Sequence, residues 1–100
     1  MQNVVIIANP FAGTARGRLS GDEAVRLLTD AGFQAEFRPT DYSGHAIQIA
    51  RQASLEGADL VISLGGDGTV HEVAQGLAGT DTALGVLPSG SGNDFARAVG

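Results

Sequence analysis

Short apolar runs alternate with amphipathic segments along the whole chain. Four runs predict β-strands, over residues 4–8, 33–37, 60–64 and 83–87. The first and third are almost continuously apolar, which is typical of strands buried on both faces of a parallel sheet. The second places Phe33, Ala35 and Phe37 on one side and polar residues on the other, so it predicts a half-exposed or edge strand.

Three segments between these runs have apolar residues at the spacing i, i+3, i+4, i+7, which predicts helices with one buried face. The inward positions are Ala24, Leu27, Leu28 and Ala31 in the first, Ala46, Ile49, Ala50 and Ala53 in the second, and Val70, Val73, Ala74 and Leu77 in the third.

Capping signals mark the ends of these helices. Ser20 with Glu23, and Thr69 with Glu72, have the spacing of capping boxes. A glycine stands where each helix should end, at Gly32, Gly57 and Gly79. A fourth helix is expected to begin near Asn93.

The resulting order βαβαβαβα predicts an α/β fold, an open parallel sheet with right-handed crossovers and helices on both faces. Residues 1–100 make one domain of this type. The pattern stops where a further strand would be expected, which indicates part of something longer.

Composition is that of a soluble globular protein, with 43% hydrophobic and 17% charged residues. The net charge of −5 argues against nucleic acid as the main partner. There is no basic region before the first strand and no apolar stretch near the ~18 residues of a membrane span, so the expected location is the cytoplasm. Transient contact with a membrane surface and homodimer formation are left open.

The chain has no Lys and no Cys, and all six basic residues are Arg. A Walker A loop and a protein-kinase site both need a Lys on the phosphates, so both are excluded. Thiolate metal sites and disulfides are excluded as well. Any phosphate must be held by backbone N–H groups, hydroxyls, Arg or a metal ion.

Small-residue loops follow three of the four predicted strands, over residues 9–14, 65–69 and 88–94. In an open α/β sheet, ligands bind beyond the carboxyl ends of the strands. Each loop opens onto a helix, whose free N–H groups and partial positive charge suit phosphate. A Rossmann dinucleotide motif is not supported, because the first loop contains Pro10 and lacks G-x-G-x-x-G.

Three blocks in these loops resemble the signatures of the diacylglycerol kinase catalytic domain family. They are Asn9-Pro10-Phe11-Ala12-Gly13, then Gly65-Gly66-Asp67-Gly68-Thr69-Val70-His71-Glu72-Val73, then the run from Leu87 to Arg97. The family includes bacterial lipid kinases and the sphingosine and ceramide kinases, with NAD kinases as more distant relatives. The Asn-Asp-Phe-Ala-Arg sequence at 93–97 favours the lipid kinases.

The resemblance implies ATP and Mg²⁺ as cofactors, bound by residues of this chain. Nucleotide contacts are expected from Asn9, Pro10, Phe11, Ala12, Gly13, Thr40 and Ser91, which stands where the family usually has Thr. The triphosphate cradle is expected from Gly65, Gly66, Asp67, Gly68, Thr69, Val70, His71 and Glu72. Asp67 is the expected catalytic residue, organising Mg²⁺ or the reacting groups, and the complete set of metal ligands is unknown.

The function implied is ATP-dependent phosphorylation of a lipid hydroxyl. A following β-rich domain of the family would supply the lipid pocket, further Mg²⁺ ligands and the base, so residues 1–100 alone are expected to be inactive. An NAD kinase-like phosphotransferase and a non-catalytic nucleotide-binding module remain as alternatives. Individual residues keep simpler interpretations: Glu72 as a capping partner of Thr69, Thr40 as a turn residue, and His45 and His71 as structural or solvated side chains.

Overall fold

The computed structural model describes residues 2–8, 20–65 and 67–87. Within these ranges strands and helices alternate as β1 (Asn3–Ala8), α1 (Gly21–Asp30), β2 (Gln34–Pro39), α2 (His45–Leu55), β3 (Leu60–Leu64), α3 (Asp67–Leu77) and β4 (Ala83–Leu87). The predicted alternation is confirmed, although β2 begins one residue later and ends two residues later than the apolar pattern suggested. The fourth helix expected near Asn93 lies outside the described residues.

The strands form a parallel sheet in the order β2-β1-β3-β4. From β1 the chain first moves outward to β2, then crosses back over β1 to β3 and continues to β4. Because crossovers in parallel sheets keep one hand, this reversal of direction places α1 on one face and α2 and α3 on the other. The expected α/β fold with helices on both faces is therefore confirmed.

Each face of the sheet has its own apolar core. The α1 face buries Val4, Ile6, Ala8, Ala24, Leu28, Ile62 and Leu64. The opposite face buries Val5, Ile7, Ala46, Ile49, Ala50, Ala53, Val61, Val73 and Leu77. Successive strand residues point to opposite faces, so β1 and β3 need apolar residues at nearly every position. β2 lies at the edge of the sheet, as its alternating pattern predicted.

The capping box of α1 is confirmed. The Ser20 hydroxyl accepts a hydrogen bond from the Glu23 backbone N–H at 3.2 Å, and the Glu23 carboxylate accepts one from the Ser20 N–H at 3.0 Å. These bonds hold the pKa of Glu23 below its usual value, the Ser20 backbone N–H contributing most. The predicted stop glycines all have positive φ, at 100° for Gly32, 95° for Gly57 and 79° for Gly79.

Two expectations for α3 are wrong. The helix begins at Asp67, so Thr69 lies inside it and is not its N-cap. Ala74 is exposed, and the face of α3 toward α2 carries Gly76 instead. A Cβ added at Gly76 would lie 2.8 Å from the Cβ of Ala50 and would overlap the Ile47 carbonyl oxygen. The two helices are so close that only glycine fits between them. Ala31, the C-cap residue of α1, also proves exposed.

Candidate functional site

The carboxyl ends of the strands form one level edge. Ala8 of β1 is in register with Pro39 of β2 and with Leu64 of β3, and Leu64 is in register with Leu87 of β4. The four strands therefore all end at the same level, just before residues 9, 40, 65 and 88. Neighbouring strands are about 4.8 Å apart, so the ends of β1 and β4 are separated by roughly 10 Å.

The reversal of strand order makes this edge a topological switch point. The connection after β1 leads to α1 on one face, whereas the connection after β3 leads to α3 on the other. Diverging connections from two adjacent strands leave a crevice between them, and open α/β sheets bind their ligands in such crevices. Two of the three glycine-containing blocks follow these two strands.

Thr40 lies at this edge beside the end of β1. Its backbone N–H donates a hydrogen bond of 3.0 Å to the carbonyl oxygen of Ala8, continuing the pairing of β1 and β2 by one residue. Thr40 is therefore next to the start of the first block. Seven predicted site residues lie outside the described residues: Asn9, Pro10, Phe11, Ala12, Gly13, Gly66 and Ser91.

The turn from β3 into α3 depends on glycine. Gly65 has φ 141°, a conformation that residues with a Cβ rarely adopt. A Cβ there would lie 3.9 Å from the hydroxyl of Thr69, so that hydroxyl sits beside the turn. A Cβ added at Gly68, in the first turn of α3, would meet no atom within 4 Å in the part of the chain that the structure describes. The start of α3 is thus a helix N-terminus at the edge of the sheet that no other described residue crowds at Gly68, and a helix N-terminus suits an anion.

The remaining predicted residues of this block lie along the first half of α3. Asp67 is the first residue of the helix, and its side chain lies outside the described residues. Val70 is partly buried and His71 is exposed. Glu72 is partly buried and does not cap its own helix: its carboxylate accepts hydrogen bonds from the backbone N–H groups of Gly44, which precedes α2, and of Ala46 in its first turn.

The sequence did not indicate Gly44 and Ala46 as partners of Glu72. A weak signal was present, since Gly44 precedes α2 and offers no side chain that could cap that helix. The partner that completes the cap is 28 residues away from Gly44 along the chain. Such a contact depends on how the helices pack.

The described residues do not assemble a metal site by themselves. Within residues 2–8, 20–65 and 67–87, no three His, Asp or Glu side chains lie together as a ligand group. The start of α3 has the helix N-terminus that suits an anion, and a Mg²⁺ site would need oxygen ligands from outside the described residues. No helix in these ranges is long and apolar enough to cross a bilayer.

A cavity of about 620 Å³ lies at the opposite, amino end of the sheet and includes none of the predicted site residues. Arg38 lines it together with Glu36 and Glu56, and the guanidinium contacts both carboxylates. Hydrogen bonding to Glu36, and then to Glu56, raises the pKa of Arg38, while the bond from Arg38 lowers the pKa of Glu56. The charge of Arg38 is thus already neutralised by Glu36 and Glu56, so its guanidinium is not available to bind a phosphate.

Comparison with known proteins gives a consistent family. The sequence-family model of the diacylglycerol kinase catalytic domain matches residues 3–100. A diacylglycerol kinase of Bacillus subtilis is 39% identical over 102 residues, covering 100% of this chain and 34% of that protein. A probable lipid kinase, YegS-like, of Cronobacter sakazakii is 47% identical over 80 residues, covering 76% of this chain and 27% of that protein.

A solved structure agrees with these sequence matches. The crystal structure of a putative diacylglycerol kinase from Bacillus anthracis superposes with a TM-score of 0.71 and 31% identity, covering 96% of this chain and 34% of that one. The chain thus spans about a third of the length of the curated diacylglycerol kinase it matches. The fold, the position of the glycine blocks and these similarities agree, and the chain belongs to the diacylglycerol kinase catalytic domain family.

Proposed function

We propose that this chain forms the ATP-binding part of a lipid kinase, which transfers the terminal phosphoryl group of ATP to a lipid hydroxyl. The observation that supports this most is the level carboxyl edge, where the segments after β1, β3 and β4 begin within roughly 10 Å of one another. One nucleotide can contact loops that start so close together.

The phosphates would be held without a lysine, since the chain has none. The candidates are the backbone N–H groups of residues 65–68 and of the first turn of α3, with the Thr69 hydroxyl beside them. Helix N-termini favour anions through these groups and the helix dipole. A magnesium ion bound with ATP would neutralise part of the phosphate charge.

Asp67 is the side chain proposed to act in catalysis. A carboxylate between glycines at a phosphate site repels the phosphates unless a cation lies between them. We therefore assign Asp67 to the metal–nucleotide complex or to the reacting groups. Substituting it should affect phosphoryl transfer far more than it affects folding.

The lipid and the base that accepts its hydroxyl proton are proposed to involve parts of the protein beyond these 100 residues. The chain spans only 34% of the Bacillus subtilis relative and 27% of the Cronobacter sakazakii one. A β-rich domain following this one is the expected location. The isolated chain is accordingly expected to bind ATP with magnesium weakly and to show no turnover.

The first test is calorimetric titration of the intact protein with ATP, with and without Mg²⁺. We expect saturable binding that Mg²⁺ strengthens. The absence of binding at millimolar ATP would end the proposal. A turnover panel of diacylglycerol, a sphingoid base, phosphatidylglycerol and NAD then identifies the acceptor, and exclusive phosphorylation of NAD would replace the lipid kinase with the NAD kinase-like alternative.

The second test compares Asp67→Asn with Asp30→Asn, which removes the same charge at the exposed end of α1. Loss of a group that stabilises charge in the transition state typically slows turnover by about a hundredfold or more. We expect such a loss for Asp67→Asn and wild-type turnover for Asp30→Asn. Equal turnover in both variants would refute the role of Asp67.

A further inference from the structure

Helix α2 has no N-terminal cap of its own. Its N-cap residue is Gly44, with φ 91° and ψ −12°, and no side chain of the preceding turn accepts a hydrogen bond from the helix. The first turn of α2 contains no acidic residue. The first N–H groups of a helix have no partner within it, so they need acceptors from elsewhere.

Glu72 supplies these acceptors from α3. One carboxylate oxygen accepts a bond of 3.0 Å from the Gly44 N–H, and the other accepts a bond of 3.3 Å from the Ala46 N–H. The negative charge also lies at the positive end of the α2 dipole, which favours it there. Both oxygens are used in a partly buried position, so Glu72 links the beginning of α2 to the middle of α3.

The linked segment is the connection between β2 and α2, residues 40–44. Its first residue is fixed to β1, because the Thr40 N–H bonds to the Ala8 carbonyl at 3.0 Å. In its middle, the Asp41 N–H donates to Nδ1 of His45 at 2.9 Å, and the ring of Tyr42 stacks on that of His45 with centroids 4.4 Å apart. Its last residue, Gly44, is held by Glu72.

Glu72 thus joins this connection to the helix that starts with the glycine turn after β3. We infer that Glu72 is a positioning residue, which keeps residues 40–44 at a fixed place relative to the turn at residues 65–68. The inference rests on the proposed function, since these two segments are the ones expected to contact the nucleotide. Without the link, α3 and the connection could shift separately. The two nucleotide-binding segments would then be correctly placed relative to each other for only part of the time.

The test uses Glu72→Ala and Glu72→Gln in the intact protein, with Gln75→Ala as the control on an exposed position of the same helix. Amide hydrogen exchange without nucleotide should become faster at Gly44 and Ala46 in Glu72→Ala. Affinity for ATP with Mg²⁺ should fall about tenfold if the connection is correctly placed for a tenth of the time. Glu72→Gln keeps one acceptor oxygen, so its exchange rates and ATP affinity should lie between those of the wild type and Glu72→Ala. Gln75→Ala should match the wild type in both measurements.

The outcomes separate three roles for Glu72: positioning of the nucleotide-binding segments, a purely structural role, and direct contact with the nucleotide. Faster exchange with unchanged ATP affinity would make Glu72 merely structural and overturn the inference. Weaker ATP binding with unchanged exchange would show direct contact with the nucleotide and overturn it as well. If Glu72→Ala does not fold, Glu72→Gln decides by the same two measurements. A wild-type protein that does not bind ATP would remove the proposed function, and the positioning role with it.

Discussion

Gly76→Ala tests the packing on which the site depends. Gly76 is buried in α3 against α2, and an added Cβ would lie 2.8 Å from the Ala50 Cβ and 3.2 Å from the Ile47 carbonyl carbon. Ordinary contacts begin near 3.4 Å. The Ile47 obstacle is backbone, which cannot rotate away as a side chain could. The helices must therefore move apart by about half an ångström or more.

The expected cost follows from two opposing effects. Overpacking a tight contact costs typically about 1–3 kcal/mol. Replacing glycine by alanine inside a helix returns about 0.5–1 kcal/mol. The free energy of unfolding should thus fall by up to about 2.5 kcal/mol, and the backbone position of the Ile47 obstacle favours the upper half of that range. Urea unfolding followed by circular dichroism measures it, and the denaturant midpoint should fall at an unchanged slope.

Gly68→Ala provides the matched control. Gly68 lies in the same helix, and a Cβ there would meet no atom of the described residues within 4 Å. Its substitution should leave the unfolding free energy unchanged or raise it by up to about 1 kcal/mol. If Gly76→Ala is as stable as the wild type while Gly68→Ala behaves as expected, the close approach of α2 and α3 is not present in solution, and the link through Glu72 loses its basis.

Two further predictions concern stability alone. The hydroxyl of Ser63 is fully buried without a hydrogen-bond partner in the part of the chain that the structure describes. Ser63→Ala should therefore raise the unfolding free energy, by at most about 3 kcal/mol, in the same urea experiment. A lower unfolding free energy would show that the hydroxyl has a partner. Glu23 has a pKa below the usual 4.5 in the folded chain, so its contribution is complete above that pH and is lost as the pH falls through the lowered value. Thermal unfolding between pH 7 and pH 3 should therefore show a shallower acid loss for Glu23→Gln, and curves of equal slope would contradict this.

Local signals in the sequence predicted most of the fold. The capping box of Ser20 and Glu23 joins residues three apart, so its residue types are enough to identify it. The periodicity of α2 gave all four of its buried positions, Ala46 through Ala53. β2 was predicted to be a half-exposed or edge strand because only one of its faces is apolar, and it lies at the edge of the sheet.

The predictions from the sequence were wrong where contacts join distant parts of the chain. Thr69 and Glu72 have the same spacing as the α1 box, yet α3 begins at Asp67 and Glu72 bonds to residues 26 and 28 positions away. Ala74 was expected inside because it is apolar, whereas the position against α2 is occupied by Gly76. Hydrophobicity cannot show that two helices approach too closely for any side chain.

By itself the sequence determined the elements, their amphipathic faces and the positions of the glycine blocks at the ends of strands, since these depend on neighbouring residues and on the periods of helix and strand. It also excluded a lysine-based phosphate site. Only the tertiary structure decided the strand order β2-β1-β3-β4, the level carboxyl edge and the cap that Glu72 places on α2. These features arise from how segments far apart in the chain pack together, and no local pattern specifies which of several partners a strand end or a helix end will find.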